Sequence, residues 1–255
     1  MGWACAADAQ SLRPLCPDRP GLGTPACTLD PGHVLLETGL ADWTRQSDPQ
    51  GRSDTITGGD LLLRLGVTET LEVQAGWTAI GYDRQRDRTT GHVTHDTGTG
   101  DITLAVRQNL AHPDGSGLSL AVMPYVTLPT GGSAIGAGDI GAGFILPVSY
   151  GVSDTLTLSL TPEIDDAVDQ DRSGHHLAYG SVIGLGIDVT PDISTTLELQ
   201  ATRDDDPAGH ATQTLAGLSL AWQPKDDLQL DAGSVLGLNH DSPDVELYVG
   251  ISRRF

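Results

Sequence analysis

From His33 to Phe255 the chain alternates apolar and polar residues in short runs separated by turn formers. In one run Ile193, Thr195, Leu197, Leu199 and Ala201 share a parity, and Ser194, Thr196, Glu198, Gln200 and Thr202 share the other. In another, Leu156, Leu158, Leu160 and Ile164 oppose Thr157, Ser159, Thr161, Glu163 and Asp165. A period of two places successive side chains on opposite faces of a strand. Alternation and turn signals together predict about twelve strands, each boundary good to ~2–4 residues. They fall at 33–43, 54–67, 70–83, 99–110, 117–129, 139–150, 154–166, 174–189, 192–204, 210–223, 226–239 and 244–255. No stretch keeps a helical period, and no run approaches the ~20 apolar residues of a spanning helix. A spanning strand needs only ~9–11 residues with every second one apolar.

Parity alone does not say which face meets water, because a soluble sandwich also alternates. Three features favour a membrane barrel. The connections alternate in length: short at 66–70, 151–155, 189–192 and 223–227, long at 44–53, 84–98, 129–138, 166–173 and 204–209. Short periplasmic turns and longer extracellular loops are the barrel arrangement. An even strand count puts both chain ends on the short-turn side. Small residues and glycines crowd the polar parity, where a soluble surface would carry Lys and Glu. The fold expected is all-β: a transmembrane antiparallel up-and-down β-barrel of about twelve strands over 33–255. Residues 1–32, rich in Pro, Cys and Gly, form a separate irregular segment, either periplasmic or a plug for the lumen.

The last strand has Val245, Leu247, Val249, Ile251 and Phe255 on one parity and Glu246, Tyr248, Gly250, Ser252 and Arg254 on the other. A greasy closing strand ending in an aromatic residue suits the barrel-assembly machinery, with Tyr248, Gly250 and Phe255 as the insertion signal. The short turns repeat as Gly66-Val-Thr-Glu-Thr-Leu71 and Gly151-Val-Ser-Asp-Thr-Leu156. Gly59-Asp60-Leu61, Gly100-Asp101-Ile102 and Gly138-Asp139-Ile140 read as openings of successive descending strands, about one hairpin apart. These Gly-Asp starts, the segment Pro124-Tyr-Val-Thr-Leu-Pro-Thr-Gly131 and the closing Gly250-Ile-Ser-Arg-Arg-Phe255 resemble the outer-membrane transporter family named for the meta-pathway of phenol degradation. The resemblance covers about residues 30–255. It implies a barrel in a Gram-negative outer membrane, among outer-membrane lipid, passing small solutes with aromatic compounds among them. The family carries no catalytic residues.

Composition narrows the partners. The formal net charge is −20 and the sequence pI about 4.4, which excludes nucleic acid, since phosphate contacts need clustered Lys and Arg. If the apolar parity faces lipid, the other parity places Glu37, Asp60, Glu72, Asp101, Glu163, Asp165, Asp188, Glu198, Asp231 and Glu246 in the lumen. Arg64 and Arg107 are then the main positive partners. Two readings stay open. The acidic lumen prefers cations, with Glu37, Asp60, Arg64, Glu72, Asp101, Arg107, Glu163, Asp188, Glu198 and Asp231 as selectivity elements. Alternatively the two arginines sit among Glu37, Asp60, Glu72 and Asp101 as a salt-bridged filling of a closed structural barrel, whose acidic loops do the work. A soluble secreted β-sandwich is the third alternative.

Cys5, Cys16 and Cys27 all lie in the first 27 residues; an oxidising compartment would allow Cys16 and Cys27 to pair. The start through Gln10 lacks a charged n-region and an apolar stretch, but its small residues suit the tail of a secretory signal. The eight histidines read as exposed loop residues, and neither a metal site nor a cofactor is expected. Ser173 near His175 is the one local Ser/His pair. With no nucleophile elbow beside it, the chain reads as a non-enzyme.

Overall fold

The structure is a computed structural model that describes residues 12–255; Cys5 and the signal-like start lie outside them. Fourteen strands form one antiparallel sheet. They are β1 (Val34–Ser47), β2 (Gly51–Gly66), β3 (Leu71–Asp87), β4 (Val93–Gly98), β5 (Ile102–Ala111), β6 (Leu118–Leu128) and β7 (Gly141–Ile145). The chain continues through β8 (Val148–Ser153), β9 (Leu156–Val168), β10 (His175–Thr190), β11 (Ile193–Asp204), β12 (Ala211–Lys225), β13 (Leu228–Gly237) and β14 (Val245–Arg254). β4 and β5 both lie against β3, and β7 and β8 both lie against β9, so each couple is one broken stave and the barrel has twelve. The second break falls at Leu146-Pro147, where proline has no N–H for the ladder. The Pro147 carbonyl still accepts from Ala121, and Leu146 N–H donates to the Pro162 carbonyl.

The sheet closes where β14 pairs with β1, in a register from Leu35↔Arg254 to Arg45↔Val245. Val34 and Phe255 exchange their last backbone hydrogen bonds at 3.1 and 2.8 Å. Closure leaves no edge strand, which is what lets a sheet sit in hydrocarbon. The predicted apolar parity faces outward. Leu63, Leu104, Val106, Leu158, Ile164, Leu197, Leu199, Leu218, Leu247 and Val249 are all exposed, while Glu37, Arg64, Glu72 and Arg107 are fully buried. That is the inverse of a soluble sandwich and overturns that alternative. Both ends of the sheet, Val34 and Phe255, lie on the short-turn side.

The structure differs from the sequence expectation in three places. Residues 44–53 are not a long loop: β1 and β2 run on through them and are joined by Asp48–Gln50 alone. Residues 84–98 are a hairpin, β3 turning into β4, rather than an irregular loop. Gly59 does not open a strand. It sits inside β2 at a φ of +63°, and the pairing with β1 keeps one register past it, from Gly39↔Asp60 to Asp42↔Thr57, while β1 itself shifts against β14 between Gly39 and Ala41. This left-handed residue, which glycine adopts cheaply, accompanies a change of parity along β2. Leu61 and Leu63 face out below it; Ile56 faces out above it.

Candidate functional site

Residues 12–33 form neither helix nor strand. They run inside the barrel, in the half nearest the short turns, and a Cys16–Cys27 disulfide closes them into a loop. Their backbone has no partner strand, so the lumen wall satisfies it. Glu37 accepts the N–H groups of Asp18 (3.0 Å) and Arg19 (2.9 Å). Glu198 accepts those of Leu22 (2.8 Å) and Gly23 (2.9 Å), and Glu72 accepts that of Leu29 (3.0 Å). Asn109 donates to the Ala26 carbonyl at 2.8 Å and Gln229 to that of Arg19 at 2.8 Å. Gly21 has a φ of +128°, and a Cβ there would stand 2.8 Å from a Glu198 oxygen, so the turn around that carboxylate requires glycine.

Charge locks the segment in place. Asp18 bridges the two lumen arginines, one oxygen on Arg64 Nη1 (2.7 Å) and the other on Arg107 Nη2 (2.6 Å). Arg64 also holds Glu72 in a two-pronged pair at 3.0 and 3.1 Å and Glu37 at 3.2 Å; Arg107 meets Glu72 at 3.2 Å. Burial alone would raise the Asp18 carboxyl, but the Arg107 and Arg64 guanidiniums outweigh it and hold it below the usual carboxylate range. On the far wall Arg19 reaches Asp231 at 3.0 Å and passes close over Gly250, where a side chain would collide with it. Between the segment and the wall of β9–β13 a cavity of about 340 Å³ remains, lined in part by Thr157, Ser159, Ser194 and Thr196.

Above this plug the lumen wall is acidic. Tyr125 donates to Glu163 at 2.7 Å and also contacts Asp165, so the two carboxylates share one hydroxyl. Asp42 and Glu246 come into contact across the β1–β14 seam, and Asp60 accepts from Thr78 at 2.8 Å. Arg19 is the positive group beside Asp42 and Glu246, with its guanidinium 5.4 Å from the Tyr248 ring centroid.

The residues expected to line the lumen therefore divide. Glu37, Arg64, Glu72 and Arg107 do converge, and Glu198 and Asp231 bind the same segment. Asp60 and Asp101 do not join the arginines. Asp101 instead accepts the N–H groups of Gly131 (2.6 Å) and Ala137 (2.7 Å), pinning the loop between β6 and β7. Asp188 is exposed near the short-turn end of β10. Tyr248 and Gly250 face the lumen, while Phe255 is 64% exposed at the short-turn rim. Sequence reasoning missed Asp18 and Arg19; their signal was a charged pair between Cys16 and Cys27. It also missed His176, which is not an exposed loop residue. Its side chain is 5% exposed, with Nδ1 2.9 Å from Asp169 and 3.8 Å from Asp206, and Nε2 2.9 Å from Asp204. Asp169, His176 and Asp206 are the grouping among the described residues that could hold a metal ion. Ser173 bonds Asp171 at 2.7 Å rather than His175.

A comparison with curated protein sequences gives no match. Among solved structures the barrel is similar to the KdgM porin, at 10% identity over 87% of this chain and 99% of that one, with a TM-score of 0.54. It is also similar to the translocator domain of the autotransporter NalP from Neisseria meningitidis (12% identity, 88% of each chain, TM-score 0.55). The β domain of the Bordetella autotransporter BrkA gives 12% identity, 89% of this chain, 100% of that one and a TM-score of 0.57. At these identities the likeness is one of fold. The sequence model of the family described as "Putative MetA-pathway of phenol degradation" matches residues 17–255, and the chain belongs to that family, as a β-barrel of the bacterial outer membrane.

Proposed function

We propose that this protein is an outer-membrane channel for small molecules, with an acidic lumen that prefers cations and neutral solutes and an N-terminal segment that closes its periplasmic half. The observation that carries this reading is the division of the lumen. The inner half is occupied by residues 12–33, while the outer half presents Asp42, Asp60, Glu163, Asp165 and Glu246, with Arg19 as the cation beside Asp42 and Glu246. A wall of one sign in a low-dielectric shell concentrates counter-ions. In this proposal selectivity resides in those outer acids. Glu37, Glu72, Glu198, Arg64 and Arg107 hold the gate, while Asp101 shapes the outer mouth through the β6–β7 loop. Small aromatic compounds are the cargo that the family's description suggests. Insertion through the barrel-assembly machinery, read from Tyr248, Gly250 and Phe255, belongs to the same proposal.

A second reading, a closed structural barrel, is favoured by the depth of the plug's anchoring. Planar-bilayer recording separates the two. Under a KCl gradient, the channel reading expects cation-selective steps that are rare in the full chain and frequent when residues 12–32 are deleted. Insertion of both forms without any steps would establish the structural reading instead.

A further inference from the structure

The chain carries 14 Lys and Arg residues against 34 acids, yet four of its arginines sit on one outward face. The register sets them in rows. Trp43, Ile56 and Tyr82 lie side by side across β1, β2 and β3, and Trp43 also pairs with outward Leu247 of β14. This row is lipid-facing; Ile56 is 46% exposed. The opposite parity is the lumen side, where Ser53 and Thr55 bond Asp83. Two residues further from the membrane on the outward face come Arg45, Asp54, Arg84 and His95, and two beyond those come Ser47, Arg52, Arg86 and Val93.

Asp54 is the acid set among the arginines, at 3.2 Å from Arg45, 2.7 Å from Arg52 and 3.6 Å from Arg84. Asp244 acts on Arg52 from the neighbouring strand end. One carboxylate cannot use three guanidinium forks, and Arg52 Nε has no hydrogen-bond partner. The Arg45 guanidinium rests 4.6 Å from the Trp43 ring centroid, and Tyr82 stacks on His95 at 6.2 Å. Aromatic side chains of this kind mark the edge of the hydrocarbon. Strands rise ~3.3–3.4 Å per residue and tilt by ~35–45°, so the two basic rows stand about 5 and 10 Å above that edge. A headgroup layer is about 5–8 Å deep, half the difference between the full bilayer and its hydrocarbon core. Arg45 and Arg84 are thus held at headgroup height and Arg52 and Arg86 just beyond it, within reach of it through their long side chains, on the face that meets lipid.

We infer that Arg45, Arg52, Arg84 and Arg86 form a binding site for the phosphate groups of an outer-leaflet glycolipid. Arginine supplies flat, paired donors that match phosphate oxygens, and the aromatic row beneath would meet the first part of the acyl chains. The occupant is a lipid rather than a soluble anion because the site is continuous with the apolar wall. The inference rests on the outer-membrane setting and not on whether the lumen conducts.

The test is native mass spectrometry of the refolded full chain in detergent with added diphosphoryl lipid A. The triple variant Arg52→Gln, Arg84→Gln, Arg86→Gln is measured beside it, and Arg203→Gln serves as a rim arginine outside the patch. Folding of each is checked by heat-modifiable migration. The expected result is stoichiometric binding by the wild type, weakened tenfold or more in the triple variant and unchanged in Arg203→Gln. Equal binding by wild type and triple variant would overturn the site. So would equally tight binding of fully dephosphorylated lipid A, a comparison that needs no variant. Binding of inorganic phosphate as tight as that of lipid A would overturn the assignment to lipid.

Discussion

Asp18 is the residue whose removal tests the gate most directly. Asp18→Ala deletes two charge-assisted contacts, at 2.7 Å to Arg64 and 2.6 Å to Arg107. Such hydrogen bonds contribute about 1.5–3 kcal/mol each, so simple addition gives about 3–6 kcal/mol. Addition overstates the loss, because Glu37 and Glu72 still neutralise both arginines and the mutation spares Asp18 its own desolvation. A net weakening of docking by about 2–3 kcal/mol remains, which is about a 30–150-fold rise in the ratio of undocked to docked segment. Single-channel recording in planar bilayers reads this as a rise in open time of that order. The deletion of residues 12–32 sets the fully open reference. If that deletion conducts continuously while Asp18→Ala keeps the wild-type open time, the Asp18 bridge does not hold the gate and the reasoning fails.

Four further outcomes are expected. Reducing Cys16–Cys27, which closes a loop of 11 residues in sequence, should remove roughly 3 kcal/mol of restraint on the segment and raise open time in the wild type but not in Cys16→Ser/Cys27→Ser. Acid should also release the segment: the Asp18 carboxyl is depressed in the folded protein, so its contribution is complete above the ordinary carboxylate range and lost as pH falls through the depressed value. The Asp18 share of that release, read as the difference in open time between wild type and Asp18→Ala down to about pH 3, should therefore be lost only below about pH 4, and its loss near neutrality would contradict it. Glu163→Gln with Asp165→Asn should lower cation-over-anion permeability with folding intact, seen as a reversal potential shifted toward zero in a KCl gradient. Leu199→Arg, on the lipid face, should cost about 2–4 kcal/mol in urea unfolding from vesicles if it lies near the midplane, whereas Thr196→Arg beside the lumen cavity should cost less.

Much of the fold follows from local physics that a sequence displays. The alternation of Leu197 and Leu199 against Glu198 and Gln200 is a property of single strands, and in every strand it gives the same two faces. Turn formers between runs set the strand order, and the repeat of short and long connections sets which end is which. The charges of the lumen parity were legible for the same reason. Local pattern does not show how far strands continue past the membrane. Residues 44–53 and 84–98 look like loops because they are polar on both faces, yet they pair because their neighbours do. The change of parity at Gly59 was likewise hidden, since it shows only in which side chains of the folded strand face out, Leu63 below it and Ile56 above it.

The sequence by itself determined about twelve alternating strands with one greasy and one acidic face, and the closed sheet then decided that the greasy face is the outside. Period-two patterning and turn chemistry act within a few residues, and each strand repeats them. Only the tertiary structure decided what fills that barrel. The partners of Arg64, Arg107, Glu37 and Glu198 lie 18 to 176 residues away in sequence, in a segment with no periodicity of its own. Its course is fixed by buried carboxylates and guanidiniums that must find partners once water is excluded, a demand that exists only after the wall has closed. The basic patch on β1–β3 has the same origin: its four arginines are scattered over 42 positions and meet only when antiparallel pairing brings Arg45, Arg52, Arg84 and Arg86 onto one face.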